Sequence, residues 1–376
     1  MGVIKTMKRT FLISAFVLAF ITGCVSNDVY DPEGIEKEIR FTSPAVSIIS
    51  KAYNGEISSA YPTEENFTVW AVYHEDEFEG WATNAVNYML RAECAYDATY
   101  NDSTTGQGGW STSKAGGKAY YWPKDGVLTF AGYSPADAHN DTPVAGDGTG
   151  KIDYGPSGLT ITDFSVHGNA ASQRDLMYSE RAYNKSSSSD GVNTIYDGVD
   201  LTFHHALSSI RFKVQKKEAY PGHDFKLLGI KICNVESKGD FQENITNETT
   251  STYSSTPAWT LDGVINDYGI DTDELHITLY GTNNYHEVTQ GLILMPQIFK
   301  EGSTIVNGDA AMVIDYQVTV SSIPVEQTAT VKLNTVTDIW EMGKRYIYNI
   351  TLGYDTITVS PTVPGWVDVN VDAAIK

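Results

Sequence analysis

The chain contains few cysteines and few basic residues for its length. Its 376 residues include three cysteines, and 26 lysines and arginines stand against 47 aspartates and glutamates, giving a formal net charge of −21. Three cysteines exclude a dense disulfide framework as the main source of stability. Nucleic acid is excluded as a partner, because a phosphate backbone must be met by clustered lysine and arginine. The length allows two domains, each with its own core.

Long apolar segments are also scarce, and the clearest one lies near the beginning. Residues 11–21, FLISAFVLAFI, follow a basic start and are too short to span a bilayer. This arrangement predicts a signal peptide over residues 1–23. The small residues before Cys24 are typical of a bacterial lipobox, so we expect Cys24 to become a diacylated N-terminus. The alternative is a plain secretory signal followed by a chance cysteine.

Helical periodicity is missing, and short alternating runs take its place. Polar turns rich in Gly, Asn, Asp and Ser separate these runs, which predicts strands of an all-β sandwich. The predicted strands are FTVWAVY (67–73), GVLTFAGY (126–133), DFKLLGIKI (224–232), ELHITLY (274–280), GLILMPQIF (291–299), AAMVIDYQVTV (310–320), TATVKL (328–333) and RYIYNITLGY (345–354).

One low-complexity stretch lies near the middle of the chain between strand-like segments. It is NKSSSSDGVN, residues 184–193, and we expect a domain boundary there. The predicted domains are residues 24–190 and residues 191–376. Cys94 and Cys233 would then lie in different domains, which favours two buried free thiols over a disulfide.

Complete enzyme signatures are absent. AGDGTGKI (145–152) lacks the first glycine and the Ser/Thr of a P-loop. HEDEF (74–78) and HEVTQ (286–290) lack the second histidine of a zincin helix. A glycosidase stays open, because carboxylates are too abundant for any pair to stand out. We predict no catalytic activity, no metal and no cofactor.

A cluster of acids in NDYGIDTDE (266–274) offers an alternative metal site. Asp267, Asp271 and Asp273 could supply oxygen ligands to a calcium ion. Solvated turn acids are the preferred interpretation, since this spacing is common in exposed loops.

Two adjacent histidines lie in LTFHHALSSIRFKV, residues 201–214. The apolar alternation changes parity near residues 206–209, which predicts a β-bulge or a step between sheets. His205 lies on the apolar face and His204 on the other. Neighbouring strand residues point to opposite sides, so the pair could not chelate one metal. We expect both histidines to be structural.

The C-terminal segment WVDVNVDAAIK, residues 366–376, alternates without a break. The residues that share its apolar face are Val367, Val369, Val371, Ala373 and Ile375. Burying them yields roughly 6–10 kcal/mol, while ordering each residue costs about 1–2 kcal/mol. Such a strand binds tightly only if it also seals an open groove. It is either the last strand of its own domain or a strand donated to a neighbour.

The N-terminal region could open such a groove. An acidic tether follows Cys24, and IRFTSPAVSIIS (39–50) is predicted to be a strand. Cleavage between Lys51 and Ala52 would remove residues 24–51 and leave the N-terminal sandwich one strand short. Arg40 is the alternative processing site.

Several motifs resemble one known family, the fimbrillins of type V pili, including the Mfa-like group. The most specific are F-x-H-A-L, beginning at Phe203, and W-x-x-G-K-x-Y-x-Y-x-I, beginning at Trp340. The others are ITGC (21–24), VWAVY (69–73), YYWPKDGVLTFAGYSP (120–135), DLMYS (175–179) and the continuation of the Trp340 motif to residue 366. Together they span nearly the whole mature chain.

The resemblance implies two tandem transthyretin-like β-sandwich domains and export as an outer-membrane lipoprotein. It also implies trimming by an arginine- or lysine-specific protease, with Lys51-Ala52 at the processing position. Trimmed subunits would polymerise with other pilin subunits, of the same or a related kind, by exchange of residues 367–375. Polymerising members usually carry arginine at that position, so lysine is a departure. The expected location is the outer membrane and the fimbrium, with a host or glycan receptor as a further partner.

A surface lipoprotein that binds glycans without polymerising is the alternative. In that case exposed aromatics such as Trp81, Trp110 or Tyr121 would serve as stacking platforms for sugar rings. Such a protein would act as a pilus tip, an anchor or an adhesin.

Overall fold

The structure is a computed structural model, and the part of it described below excludes both chain ends and several internal segments. The described residues are 38–46, 61–75, 81, 86–100, 109–186, 198–217, 223–248, 253–270, 277–279, 284–299, 309–354 and 357–363.

The described residues form 26 strands and three short 3₁₀ helices. The strands are β1 (Ala45–Val46), β2 (Phe67–His74), β3 (Val86–Asp97), β4 (Gly109–Ser111), β5 (Val127–Ser134), β6 (Lys151–Gly155), β7 (Gly158–Ser165), β8 (Met177–Ser179), β9 (Ala182–Lys185), β10 (Thr202–His205), β11 (Ser208–Lys216), β12 (Asp224–Glu236), β13 (Lys238–Gln242), β14 (Ile245–Glu248), β15 (Tyr253–Ser255), β16 (Ala258–Leu261), β17 (Ile265–Gly269), β18 (Ile277–Leu279), β19 (His286–Glu287), β20 (Leu292–Leu294), β21 (Gln297–Ile298), β22 (Ala311–Val320), β23 (Ile323–Lys332), β24 (Ile339–Trp340), β25 (Arg345–Leu352) and β26 (Ile357–Thr362). The helices are Ala136–Ala138, Ala170–Ser172 and Leu333–Thr335. The predicted all-β class is therefore confirmed. No helix among the described residues is long and apolar enough to cross a membrane.

An eight-stranded sheet forms the N-terminal part of the molecule. Its order is β1-β10-β8-β5-β2-β3-β4, and β9 also pairs with β5. Strand β2 is buried over its first six residues, because the sheet carries a core on each face. Val69 points into one core, while Trp70 points into the other. A strand buried on both faces needs a largely apolar run, and FTVWAV supplies one in which Thr68 is the single polar residue.

A four-stranded sheet, ordered β16-β13-β7-β6, covers the second of these faces. Its buried Ile161 and Phe241 belong to the same core cluster as Trp70 and Tyr178 of the large sheet. The Tyr178 and Phe241 rings lie 5.3 Å apart, centroid to centroid. The two sheets thus form a sandwich.

Two five-stranded sheets form the C-terminal sandwich, with the orders β19-β11-β25-β26 and β17-β12-β22-β23. Strands β20 and β18 join them as extra partners of β11 and β12. One cluster of buried residues includes Phe212 and Tyr348 from the first sheet and Ile230 and Ile314 from the second. The apolar faces of the alternating strands therefore meet in a common core, as expected for sheet-on-sheet packing.

The predicted change of parity near residues 206–209 is a step between sheets. Strand β10 ends at His205 in the large N-terminal sheet, and β11 begins at Ser208 in a C-terminal sheet. His205 is buried, and its Nδ1 donates to Asp175 Oδ2 at 2.7 Å. His204 points away and lies 2.8 Å from Glu180 Oε1. The histidines lie on opposite faces, as predicted, and each has its own carboxylate partner.

Two sheets contain strands from both sides of residue 190. Strand β10 pairs with β8 in the large sheet, and β13 pairs with β7 in the four-stranded sheet. Residues 187–197, which include part of the predicted boundary, lie outside the described residues. The division into residues 24–190 and 191–376 stays a prediction.

Candidate assembly site

Residues 38–46, here called the leader segment, lie between β4 and the β10 edge of the large sheet. Phe41 and Trp110 exchange both backbone hydrogen bonds at 2.9 Å, joining the segment to β4. On its other side Val199 N donates to Arg40 O at 2.8 Å, and Ala45 N donates to Leu201 O at 2.9 Å. The leader segment therefore connects the two edges that the sheet would otherwise leave open. We call the space that it fills the acceptor groove.

The apolar side chains of the leader segment point into the molecule. Ile39, Phe41 and Val46 are buried, and Phe41 is 0% exposed. The Phe41 ring makes edge-to-face contacts with Phe67 and Phe130, at centroid distances of 5.6 and 5.5 Å. These rings belong to β2 and β5, so Phe41 reaches the far wall of the core. The core cluster consists of Ile39, Phe41, Val46, Tyr61, Phe67, Val69, Ala71, Met89, Cys94, Trp110, Leu128, Phe130, Met177, Val199, Leu201 and Phe203.

The polar side chains of the leader segment meet an acidic rim. Arg40 lies 2.7 Å from Glu38 within the segment and 3.5 Å from Asp97 of β3. Its guanidinium also lies 4.3 Å from the centroid of the Tyr100 ring. A hydrogen bond from Thr99, with the nearby cations Lys114 and Arg40, lowers the pKa of Asp97.

The opposite rim is acidic as well. Thr42 Oγ1 donates to Asp200 Oδ1 at 2.5 Å. Asp200 follows Val199, whose backbone pairs with the segment. Two outward residues of the leader segment, the cation Arg40 and the hydroxyl donor Thr42, therefore each lie beside a carboxylate of the groove. The outward Glu38 pairs with Arg40 inside the segment.

Two glycines allow the close approach of backbone on either side of the leader segment. A Cβ atom at Gly109 would lie 2.9 Å from Phe41 O. Gly198 has φ +128°, and a Cβ there would lie 2.8 Å from Thr42 N and 3.0 Å from the Phe41 carbonyl carbon. A side chain at either position would push the segment out of the groove.

Replacing Gly198 with alanine is expected to lower the free energy of unfolding by about 2–3 kcal/mol, from backbone strain and steric overlap with the leader segment. Gly116 is a matched control, because its φ is +83° and a Cβ atom there would meet nothing within 4 Å. Gly116→Ala should cost about 1 kcal/mol, from strain alone. Urea denaturation measures both values, and equal losses would contradict the close-approach argument.

Most of the residues predicted for lipidation, processing and strand donation lie outside the described residues. These are Cys24, Lys51, Ala52 and the predicted donor strand with Val367, Val369, Val371, Ala373 and Ile375. Arg40, the alternative processing residue, lies within the leader segment. Its carbonyl oxygen is hydrogen-bonded, and its side chain is 18% exposed.

The glycan-binding alternative expects Trp81 and Trp110 to be exposed stacking platforms, and that expectation is wrong. Trp110 is 2% exposed and Trp81 is 7% exposed. The Trp110 indole packs 4.8 Å from the Tyr96 ring, and the Trp81 ring lies beneath the Arg181 guanidinium. The Trp110 ring belongs to the core cluster that the leader segment completes. Tyr121 is half-buried.

The other predicted polar sites have ordinary structural roles. Cys94 is buried and Cys233 half-buried, and both are free thiols; burial raises the pKa of each. Asp267 forms an ion pair with Lys231 at 2.8 Å, whose hydrogen bond lowers the pKa of that carboxyl. The other acids of the calcium alternative lie outside the described residues. Among the residues that the structure describes, no group of three or more His, Cys, Asp or Glu could hold a metal ion.

The partners of the leader segment were not predicted from the sequence. Phe41 pairs with Trp110 and with Val199, which are distant from it and from each other in the chain. The available signal was the pair of glycines at residues 109 and 198, because glycine beside a strand often marks a close approach of backbone.

Comparisons with known proteins give a family match over most of the chain and a shared fold. A family model described as fimbrillin-like matches residues 62–366. A fimbrial protein from Bacteroides vulgatus aligns with a TM-score of 0.55 at 17% identity, covering 87% of this chain and 100% of that one. A proposed cell adhesion protein from Bacteroides uniformis aligns with a TM-score of 0.49 at 16% identity, covering 88% and 99%. No curated protein matches the chain.

Proposed function

The chain belongs to the fimbrillin-like family, and we propose that it is a structural subunit of a type V pilus. In this proposal the precursor is exported as an outer-membrane lipoprotein, anchored through Cys24. Proteolysis after Lys51 removes residues 24–51, and the C-terminal strand of another pilin subunit, of the same or a related kind, fills the vacated groove. The resulting filament serves cell adhesion, and no step requires catalysis by this chain.

The observation that carries the proposal is the position of the leader segment. It is hydrogen-bonded along both edges, and its apolar side chains complete a core. Burial of Ile39, Phe41 and Val46 contributes roughly 5–9 kcal/mol. Loss of the segment would expose that core and two unpaired strand edges. Such a groove is a template for the addition of another strand.

The hydrogen bonds of the leader segment favour Lys51 over Arg40 as the processing residue. A protease requires an accessible, extended substrate, whereas the Arg40 carbonyl accepts a hydrogen bond from Val199. Cleavage at Arg40 would also leave Phe41 attached to the mature chain. Cleavage after Lys51 would release the whole leader segment. The residues that hydrogen-bond to it would stay on the mature chain.

Deleting residues 367–376 is expected to yield a folded monomer that cannot enter filaments. The reason is that the deleted strand would complete a neighbour's core and not its own. Size-exclusion chromatography and circular dichroism would check the fold, and electron microscopy of cells would check the filaments. Normal filaments from the truncated chain would contradict strand donation.

The N-terminal residue of the protein isolated from cells gives a second, independent result. Ala52 at the N-terminus supports the pilus subunit. An acylated Cys24 would contradict processing and indicate an anchored surface protein of the non-polymerising kind.

A further inference from the structure

We infer that the acceptor groove is matched to a donor strand from a different subunit and not to residues 366–376 of a second copy of this chain. The inference rests on the proposed function, since it concerns which strand replaces the leader segment. The chemistry required is an aromatic side chain facing inward and a basic side chain beside it facing outward.

The inward requirement comes from the position that Phe41 fills. Its ring is fully buried and contacts Phe67 and Phe130 on the far wall of the core. A shorter side chain at this position would not reach those rings and would leave a cavity. Removing a phenylalanine ring from a packed core is among the more costly large-to-small changes.

The apolar face of residues 366–376 offers no such ring. It carries valine, alanine and isoleucine at alternate positions. Because strand side chains alternate, every register that keeps this face inward places one of those residues at the Phe41 position. Trp366 has the opposite parity and would point outward. The mismatch therefore does not depend on the register chosen.

The outward requirement comes from the acidic rim. Asp97 lies 3.5 Å from Arg40, and Asp200 accepts a hydrogen bond from Thr42. The outward face of residues 366–376 contains Asp368, Asn370 and Asp372, and its one basic residue, Lys376, is the last of the segment. A strand of a second copy that runs in the direction of the leader segment and fills the Phe41 position would place an acidic or neutral residue at the Arg40 position, because Lys376 follows Ile375 and does not precede it. Lys114, 3.7 Å from Asp97, would be a cation left beside that carboxylate, and Arg40 would have no basic replacement. Like charges placed together at an interface disfavour the wrong partner.

The size of the side chain needed at the Phe41 position and the charge needed beside the acidic rim both disfavour residues 366–376 of a second copy. The two requirements rest on separate observations. The leader segment satisfies both conditions with Ile39, Arg40 and Phe41 in sequence. A natural donor would carry the same order: apolar, basic, aromatic.

Peptide competition on the full chain tests the inference. A protease recognition sequence inserted between Lys51 and Ala52 allows residues 24–51 to be cut from the rest of the folded chain. The cut chain is incubated with a fluorescent peptide of residues 38–46, and unlabelled peptides are titrated as competitors. The competitors are residues 366–376, the same peptide with Asp368→Arg and Val369→Phe, and a control with Asn370→Phe.

The doubly substituted peptide is expected to compete at a concentration at least roughly tenfold lower than the native peptide. The Asn370→Phe control places the ring outward and should show no gain. Equal competition by the native and doubly substituted peptides, or an equal gain from the control, would overturn the inference and leave strand donation intact. If even the peptide of residues 38–46 fails to enter, replacement of the leader is itself wrong, and the proposed function falls with the inference.

Discussion

Replacing Phe41 with alanine is expected to lower the free energy of unfolding of the precursor by about 3–5 kcal/mol. The ring is fully buried and contacts Phe67 and Phe130 edge to face. Its loss would leave a cavity lined by rings that cannot collapse easily, since they lie on paired strands. Differential scanning calorimetry and urea denaturation would measure the change on the unprocessed chain.

Thr42→Ala serves as the matched control. Thr42 neighbours Phe41 on the same segment, but its side chain points outward to Asp200. The loss of that exposed hydrogen bond should cost about 0.5–1.5 kcal/mol. If the two substitutions cost the same, the leader segment would not be an essential part of the core. The groove left by its removal would then need no replacement strand.

Local alternation predicted much of the fold because it records which face of a strand is buried. The run at residues 224–232 lies within β12, and the run at residues 345–354 contains β25. In β25 one parity is kept, and Tyr346, Tyr348, Ile350 and Leu352 all lie in the core. In β12 the inward parity changes between Leu227 and Ile230, where the pairing with β22 shifts register, but each half of the run still alternates.

Strand β3 was not predicted, and its geometry explains why. Its sequence, VNYMLRAECAYD, mixes polar and apolar residues without a steady alternation. The pairing of β2 with β3 shifts register near Ala71, and Arg91 has φ +46°. A bulge changes the parity of the residues that follow it. A pattern with a fixed period of two cannot detect such a strand.

The leader segment was predicted as one strand over residues 39–50, and the described part of it is less regular. Strand β1 covers Ala45–Val46, and Phe41 forms isolated bridges on both sides. Pro44 lies between them and has no backbone N–H to donate, which interrupts the ladder. Its pairing with two distant edges depends on tertiary structure, and no local pattern in the segment encodes it.

The buried contact between His205 and Asp175 provides the second large expected effect. Asp175→Ala should destabilise the protein by about 3–5 kcal/mol, because it removes one member of a buried pair. The two side chains are 0% and 2% exposed, and His205 Nδ1 lies 2.7 Å from Asp175 Oδ2. His205 ends β10 immediately before the step into the C-terminal sandwich. Asp175→Ala is therefore expected to weaken the packing where the two sandwiches join.

The neighbouring histidine supplies the control. His204 pairs with Glu180 at a similar distance of 2.8 Å, but the side chains are 29% and 41% exposed. Glu180→Ala should cost at most about 1 kcal/mol, because an exposed contact between polar side chains gains little in water. Asp175→Asn, which keeps an acceptor oxygen for the imidazole, should lie between the two. Equal unfolding free energies for Asp175→Ala and Glu180→Ala in urea would show that burial of the His205 pair does not stabilise this junction, and its role in the fold would have to be abandoned.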